Sequence, residues 1–400
     1  MTTYSEPREI KAAHQPDWPD PKLLDDVVDE LQRRQPLVEA QACHALAGEL
    51  EFVARGESFV IQAGECAELF ADSTRPRIQA KAAQLHQLCD VVEAIGLPTV
   101  GIGRFAGQYA KPRSKPTEMR TDGSVVPVYL GDAVNGLAPT EAARRADPTR
   151  LLRAYDHAAE GLHSLFMRQL LLADGDKTCS MLAPTYISHE ALILPFESAL
   201  VRADHVKGGR YASSAHMLWI GERTRQLDHA HLRFAESINN PVGVKLGPST
   251  EPPDLVEIVE TLTRGRPAGR LCLVVRQGVD KIAERLPRLV TALGGRARDV
   301  VWLSDPMHGN TRTTTSGQKT RVLADMMDEV EQFSNILRKH GCWPGGLHLE
   351  ITPDAVTECV ATHRELASGP DLSRYESACD PRLNPGQAEQ LVRHVADLLV

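Results

Sequence analysis

The sequence predicts an α/β fold, a closed (β/α)8 TIM barrel preceded by an N-terminal helical arm. Short apolar runs alternate with amphipathic stretches, which is typical of a parallel sheet covered by helices on both faces. Eight such units fit into 400 residues as one closed barrel. An open doubly wound sheet is the alternative. The eight runs span residues 59–63, 99–104, 185–189, 216–221, 242–246, 271–276, 300–304 and 347–351.

We assign residues 1–52 to the arm and residues 53–400 to the barrel. A proline-rich start at residues 16–21 leads into the helical pattern LLDDVVDELQRRQ. A second helical pattern follows from Val38 to Phe52. Two helices are therefore expected before the first barrel strand.

Composition and charge exclude several classes of protein. The net charge of −8 argues against nucleic acid or an anionic membrane as the main partner. The chain shows neither a signal sequence nor an apolar span of membrane length, which predicts a cytoplasmic protein. The eight cysteines are scattered without a CxxC pair, so a zinc ribbon or a secreted disulfide scaffold is not expected.

Every predicted strand brings an ionisable or metal-binding side chain to its C-terminal end or to the loop that follows. Functional side chains of such barrels collect at that end. A rim without a function would carry a mixture of small and polar residues instead. In chain order the rim residues are Cys66, Arg104, Glu190, Glu222, Arg223, Lys245, Arg276, Asp305, His308 and Glu350.

Part of this rim has the chemistry of a metal site. Cys66, His308 and Glu350, joined by Asp380, offer one thiolate, one imidazole and two carboxylates, which suit a divalent transition ion with open positions. The alternatives are a buried inert thiol at Cys66 and a hydrogen-bonded loop histidine at His308. Convergence favours the metal, because the first, seventh and eighth strands are neighbours in a closed barrel.

A second group is cationic and consists of Arg104, Arg223, Lys245 and Arg276. Four cations around one cavity repel each other unless anions offset them, and guanidinium groups bind phosphate and carboxylate in a bidentate manner. The alternative is that each cation pairs with a structural acid, for instance Arg223 with Glu222. The cluster predicts small anionic, phosphorylated substrates.

The segment from residue 108 to residue 116, QYAKPRSKP, is a basic loop whose two prolines limit its flexibility. Lys111, Arg113 and Ser114 could hold another phosphate there, and a solvated loop is the alternative. Just before it, GIGRFA matches the dinucleotide-binding pattern GxGxxA. That pattern needs a helix starting at the glycines, and Pro112 and Pro116 stop one from extending, so we reject it.

The chain resembles the type II 3-deoxy-D-arabino-heptulosonate 7-phosphate (DAHP) synthases over roughly residues 15 to 395. It is especially similar to short members that feed phenazine and other secondary pathways. The resemblance rests on GRFAGQYAKPRS, VYLGDAVNG, SHEAL, WIGERTRQLDHAH, NPVGVKLGP, SDPMHGNT, GGLHLE, VTECV and RYESACDPRLNP, in this order.

The resemblance implies condensation of phosphoenolpyruvate with erythrose 4-phosphate to DAHP and phosphate, the first step of the shikimate pathway. It implies Mn²⁺, Co²⁺ or another divalent transition metal, a homo-oligomer, and chorismate mutase as a partner. By the resemblance, the metal ligands are Cys66, His308, Glu350 and Asp380. The phosphoenolpyruvate contacts that it implies are Arg104, Glu222, Arg223, Lys245 and Arg276. The erythrose 4-phosphate contacts that it implies are Lys111, Arg113, Ser114 and Lys319, and the catalytic residues are Glu190, Glu222 and Lys245.

Two departures from the family pattern accompany this resemblance. The family's QGGDCAE is QAGECAE here, at residues 62–68, beside the metal cysteine. Residues 166–184 are shorter than in relatives that bind aromatic amino acids there, so we expect weak or absent feedback inhibition. The resemblance also implies that Cys379 can approach Cys66, and a disulfide between them would remove a metal ligand.

Three other functions are compatible with parts of the pattern. An amino-DAHP synthase would keep the fold and the metal but use an imino-aldose phosphate. A non-catalytic regulatory partner of chorismate mutase would be expected to lack ligands that are all present here. A metal-dependent hydrolase is disfavoured because the rim has many cations and few histidines.

Overall fold

The structure of the chain is a computed structural model that describes residues 10–119, 123–173 and 184–400, the side chains of residues 171–173 excepted. Residues 174–183, which include Cys179, lie outside the described residues. The expectation of weak feedback inhibition rests on residues 166–184, and most of that stretch therefore lies outside them as well.

Eight parallel strands close into a barrel, which confirms the predicted fold. Each strand corresponds to one predicted run, and the largest difference is at the last strand, which begins at Pro344. The barrel strands, numbered β1 to β8 in chain order, are Phe59–Gly64, Thr99–Arg104, Tyr186–Glu190, Met217–Ile220, Val242–Leu246, Leu271–Val275, Val301–Ser304 and Pro344–Glu350.

Helices surround this barrel. In chain order they are α1 Pro21–Arg33, α2 Ala40–Ala54, α3 Arg75–Glu93, α4 Glu141–Arg144, α5 Thr149–Ala173, α6 Leu194–Ala199, α7 Ala230–Ser237, α8 Pro252–Thr263, α9 Ile282–Leu293, α10 Leu323–Lys339, α11 His363–Ala367 and α12 Pro385–Leu399. Short 3-10 turns occupy Phe70–Asp72 and Gly294–Arg298. Within the described residues, three short antiparallel strand pairs join Thr117–Met119 with Val125–Pro127, Val201–Ala203 with Arg210–Ala212, and Thr311–Thr313 with Lys319–Arg321.

The two helices expected in the arm are present, and α2 packs into the barrel core. Leu46, Leu50 and Val53 of α2 are fully buried in one cluster with interior side chains such as Val60 and Val274. Burying a side chain of this kind contributes roughly 1.5–3 kcal/mol. The first barrel strand follows directly, so α2 covers the end of the barrel at which the strands begin.

Helix α1 lies on the outside of the barrel. Asp20 caps it by accepting a hydrogen bond from the backbone N–H of Leu23 at 2.9 Å, and Pro21 occupies its first position. Val27 and Leu31 are buried in a second apolar cluster together with side chains of α5. Helix α1 is therefore anchored by an apolar face and a sequence-encoded start.

The rejected dinucleotide motif lies on β2. Residues 105–116, which follow the glycines Gly101 and Gly103, form a loop and not a helix. This loop carries the basic segment to the C-terminal rim of the barrel. Among the described residues, none of the helices combines the length and the apolar character that crossing a membrane requires.

Candidate active site at the C-terminal rim

The rim is organised around the place where β1, β2 and β8 meet. Gly64 pairs in register with both Arg104 and Glu350, so these two residues end their strands at the same level. A Cβ atom on Gly64 would lie 2.6 Å from the backbone oxygen of Arg104, which explains why this position has no side chain. The Arg104 guanidinium lies 3.2 Å from the Glu350 carboxylate and also donates to the backbone oxygen of Leu349.

Glu350 is fully buried and is surrounded by basic groups. The guanidinium of Arg321 lies 2.7 Å from it, Nε2 of His308 lies 3.0 Å away and Nζ of Lys111 lies 3.7 Å away. Burial opposes ionisation, but His308, Lys111 and Arg321 outweigh it and hold the pKa of Glu350 well below its usual range. Glu350 is therefore a carboxylate anion at neutral pH.

Three of the four predicted metal ligands come together. One ligand atom each from Cys66, Glu350 and Asp380 lies within 4.8 Å of the other two. The ammonium group of Lys111 contacts both the Cys66 sulfur and the Asp380 carboxylate. A positive charge thus lies among three acidic ligand groups, which is the electrostatic environment that a divalent cation requires.

The fourth predicted ligand, His308, is oriented by a carboxylate. Its Nδ1 lies 2.7 Å from Asp305, so a neutral imidazole donates from Nδ1 and keeps a lone pair on Nε2. That lone pair faces the Glu350 oxygen at 3.0 Å, and two acceptors face each other so closely only with a proton or a cation between them. This arrangement and the mixed sulfur, nitrogen and oxygen donors fit a divalent transition metal.

Three of the predicted anion-binding cations, Arg104, Lys245 and Arg276, also lie close together. The Lys245 ammonium pairs with Asp305 at 3.1 Å, and the Arg276 guanidinium donates to the backbone oxygen of His308 at 3.2 Å. Burial lowers the pKa of Lys245 to about 8, and the nearby charges of Arg104 and Arg276 add to this effect. An anionic ligand among these cations would relieve their repulsion.

Arg223, the fourth predicted cation, is half-buried. It does not form the ion pair with Glu222 that was the alternative to anion binding. Glu222 instead lies 3.1 Å from Arg225, accepts a hydrogen bond from the backbone N–H of Gly247 at 2.6 Å, and accepts another from the Ser249 hydroxyl at 2.7 Å. Both carboxylate oxygens of Glu222 are therefore engaged by neighbouring residues.

Glu190, the other predicted catalytic carboxylate, has a different environment. Its Oε1 is buried and has no hydrogen-bond partner among the described residues. Burial raises the pKa of Glu190, although Lys245, Lys111 and Arg223 act in the opposite direction. A carboxyl group with an under-bonded oxygen beside several cations is suited to proton transfer.

The residues predicted to hold the second phosphate are distributed around Asp380. Lys111 contacts Asp380 from one side, and Nζ of Lys319 lies 2.7 Å from its Oδ1. Arg113 donates to the sulfur of Cys379 at 3.4 Å, and Ser114 is exposed on the same loop. Lys111 thus lies among the proposed metal ligands and not at the outer edge of the site, where a contact to the second phosphate was expected.

Sequence reasoning missed one residue of this site. Arg321 is 0% exposed and pairs with Glu350 at 2.7 Å. It lies at the end of the short strand Lys319–Arg321 and not at the end of a barrel strand, so the position of the barrel strands in the sequence does not identify it. The alternation of Lys319 and Arg321 on one short strand is the signal that could have found it.

Comparisons with known proteins identify the family of the chain. The model of the class-II DAHP synthetase family matches residues 2–171 and 163–396. The phospho-2-dehydro-3-deoxyheptonate aldolase of Streptomyces coelicolor is 42% identical, over 98% of this chain and 96% of its own length. The phospho-2-dehydro-3-deoxyheptonate aldolase AroG of Mycolicibacterium smegmatis is 39% identical, over 97% and 92%.

A solved structure supports the fold. The phospho-2-dehydro-3-deoxyheptonate aldolase of Francisella tularensis superposes with a TM-score of 0.56 over 93% of this chain and 96% of that one, at 14% sequence identity. Identity this low bears on the fold alone, whereas the curated relatives and the family model cover nearly the whole sequence. The chain therefore belongs to the class-II DAHP synthetase family and is a transferase of that class.

Proposed function

We propose that the chain condenses phosphoenolpyruvate with D-erythrose 4-phosphate to give DAHP and inorganic phosphate, and that the reaction depends on a divalent metal. The observation that carries the proposal is the convergence of two groups on one barrel rim. Cys66, Glu350 and Asp380 form an acidic ligand cluster, and Arg104 and Lys245 belong to a cationic cluster beside it. A substrate that carries a phosphate for the cationic cluster and a carbonyl or carboxylate oxygen for the metal could bridge the two clusters.

Cys66, His308, Glu350 and Asp380 would hold the metal, Mn²⁺ by preference and Co²⁺ or another divalent transition ion as the alternative. When bound, such an ion supplies Lewis acidity that polarises the aldehyde of the aldose. Asp305 keeps the His308 imidazole in the tautomer that can bind a metal, since it accepts the hydrogen bond from Nδ1.

Arg104, Lys245 and Arg276 would bind the phosphate and the carboxylate of phosphoenolpyruvate, with Arg223 as a further contact. Lys111, Arg113, Ser114 and Lys319 would bind the phosphate of erythrose 4-phosphate. Holding both substrates in this way converts a collision of separate molecules into a reaction between oriented neighbours. The cations also stabilise negative charge as the phosphate leaves.

The reaction forms one carbon–carbon bond and one carbon–oxygen bond, and it breaks the carbon–oxygen bond to the phosphate. C3 of phosphoenolpyruvate attacks the aldehyde carbon, and the aldehyde oxygen takes up a proton to become a hydroxyl. Water adds to C2 and gives up a proton, and the bond from C2 to the phosphate oxygen then breaks and releases inorganic phosphate. A carboxylate must take the proton of the attacking water. Glu190 suits this role better than Glu222, because Oε1 of Glu190 is under-bonded and its pKa is raised by burial.

The test is to strip the purified protein of metal and follow the absorbance of phosphoenolpyruvate with erythrose 4-phosphate, before and after Mn²⁺ is added. We expect turnover to be lost with the metal and restored by it. Turnover that is unchanged in the metal-free protein would contradict the metal requirement. Bound Mn²⁺ without turnover would contradict the choice of aldose and favour an imino-aldose phosphate.

The predicted homo-oligomer stays a prediction, as does binding to a chorismate mutase. Met119 and Val125 are partners in two antiparallel strands and are 77% and 61% exposed, and Phe166 on α5 is 58% exposed. Light scattering of the purified chain, alone and with a chorismate mutase added, measures both associations.

A further inference from the structure

We propose that Glu329 is a positioning residue that holds the Arg276 loop and the His308 loop in register. Glu329 lies on α10 and is 0% exposed. One of its carboxylate oxygens accepts a hydrogen bond from the backbone N–H of Gly278 at 2.9 Å, in the loop after β6. The other accepts one from the side-chain amide of Asn310 at 2.6 Å, in the loop after β7. A single buried carboxylate therefore bridges two adjacent rim loops.

Asn310 extends this bridge into a clamp. Its Oδ1 accepts a hydrogen bond from the backbone N–H of Val279 at 3.0 Å, and its Nδ2 also donates to the backbone oxygen of Pro306 at 2.9 Å. The two loops are in backbone contact here, since a Cβ atom on Gly309 would lie 2.3 Å from the backbone nitrogen of Gly278. The spacing between the loops is thus specified at several points.

The clamp bears on chemistry because of what each loop carries, and this step rests on the proposed function. Arg276 would bind phosphoenolpyruvate, and His308 would bind the metal that activates the aldose. The Arg276 guanidinium donates to the backbone oxygen of His308 at 3.2 Å, so the two groups are already linked. A small displacement of one loop would change the distance between the two bound reactants, to which reaction rates are sensitive.

The test is the near-isosteric variant E329Q. Gln offers one acceptor oxygen and one donor NH₂, whereas Gly278 and Asn310 both donate to Glu329. The new NH₂ group of E329Q must therefore face an N–H donor, either that of Gly278 or that of Asn310. The loss of a buried hydrogen bond should raise both the KM for phosphoenolpyruvate and the Kd for Mn²⁺ by roughly tenfold. The KM for erythrose 4-phosphate should stay within about twofold.

Two further variants separate positioning from simple stabilisation. N310D places a second carboxylate against Glu329, so it should reproduce the same KM and Kd changes even where E329Q folds poorly. In the double variant that combines E329Q with N310D, the introduced amide can donate to the introduced carboxylate, so part of the affinity for phosphoenolpyruvate should return. E331Q, on the exposed face of the same helix, is the matched control and should behave like the unmodified chain.

Titration of Mn²⁺ into each purified variant supplies a measurement that does not depend on turnover. If the unmodified chain is active but E329Q and N310D match E331Q in KM and Mn²⁺ affinity, the positioning role is overturned, even if both variants melt at lower temperature. If the unmodified chain itself neither binds Mn²⁺ nor turns over, the proposed function fails and the inference fails with it. Parallel loss of affinity for phosphoenolpyruvate and Mn²⁺, with partial recovery in the double variant, is the result that supports it.

Discussion

The ammonium group of Lys245 lies 3.1 Å from the carboxylate of Asp305, and both groups are buried. The same carboxylate lies 2.7 Å from Nδ1 of His308. Burial opposes the ionisation of Asp305, but His308 and Lys245 hold its pKa well below the usual range. One anion therefore links the cationic cluster to the proposed metal ligands.

Replacing this link should weaken both parts of the site. In D305N the side chain keeps its shape but loses its charge, so Lys245 loses its counter-ion. One of the two oxygens that lie near Nδ1 of His308 is replaced by an NH₂ donor, so the imidazole is held less firmly. We expect Mn²⁺ affinity to fall by roughly 10- to 100-fold and kcat/KM to fall at least as much. Metal titration and steady-state kinetics measure the two effects. D299N, which changes an exposed aspartate, is the control, and equal Mn²⁺ affinity in both variants would refute the link.

The lowered pKa of Lys245 predicts the alkaline side of the pH profile. Burial lowers this pKa to about 8, so the positive charge is present below pH 8 and is lost as the pH rises through that value. Because the cation is proposed to bind phosphoenolpyruvate, kcat/KM for this substrate should decrease above about pH 8. K245R keeps its charge at higher pH and should move the decrease upward. A profile that is flat to pH 9.5 in the unmodified chain would contradict this role.

Removing the sulfur ligand should change both the affinity for metal and its pH dependence. Burial raises the pKa of the Cys66 thiol well above its usual range, so a metal must displace a proton to bind the thiolate. Mn²⁺ affinity should therefore rise with pH in the unmodified chain. C66S should bind Mn²⁺ at least tenfold more weakly, ~1.4 kcal/mol, with a smaller dependence on pH.

A matched control for this variant is C342S, since Cys342 precedes β8 at the opposite end of the barrel. It should leave metal binding unchanged. If C66S and C342S bound Mn²⁺ equally well at every pH, Cys66 would not be a ligand.

The position of Lys111 predicts two effects of opposite direction. Its ammonium contacts Cys66 and Asp380, so it competes with a divalent ion for the same ligands. K111M should bind Mn²⁺ more tightly, by several-fold, because the competing charge is gone. It should nevertheless turn over more slowly, by ~100-fold, if Lys111 also binds a substrate phosphate. K115M, on the exposed part of the same loop, should show neither effect.

Oxidation should inactivate the enzyme reversibly through Cys66 and Cys379. The hydrogen bond with Cys66 lowers the pKa of Cys379 to about 7, and Lys111 and Arg113 also favour its thiolate, the reactive form. We expect peroxide to abolish turnover and dithiothreitol to restore it, whereas C379S should resist and bound Mn²⁺ should protect. Full activity in a sample with a demonstrated Cys66–Cys379 disulfide would exclude this mechanism.

The strand pattern made the barrel predictable, because a parallel strand covered on both faces is mostly apolar, with polar side chains confined to a few positions. Each predicted run therefore marked a strand, and the residues after it marked the rim. Cys66, Glu350 and Asp380 followed from the same rule together with the resemblance, and the structure brings their ligand atoms within 4.8 Å of one another. These features depend on local sequence, on strand periodicity and on the closure of the sheet.

Tertiary structure alone decided the contacts between loops. Arg321 reaches Glu350 from a hairpin, Glu329 reaches two rim loops from a helix, and Lys111 lies among the ligands and not at the outer edge. Such contacts join residues far apart in the chain, and no periodicity specifies them. They arise because a buried charge is stable only beside a partner, and packing determines which partner is near.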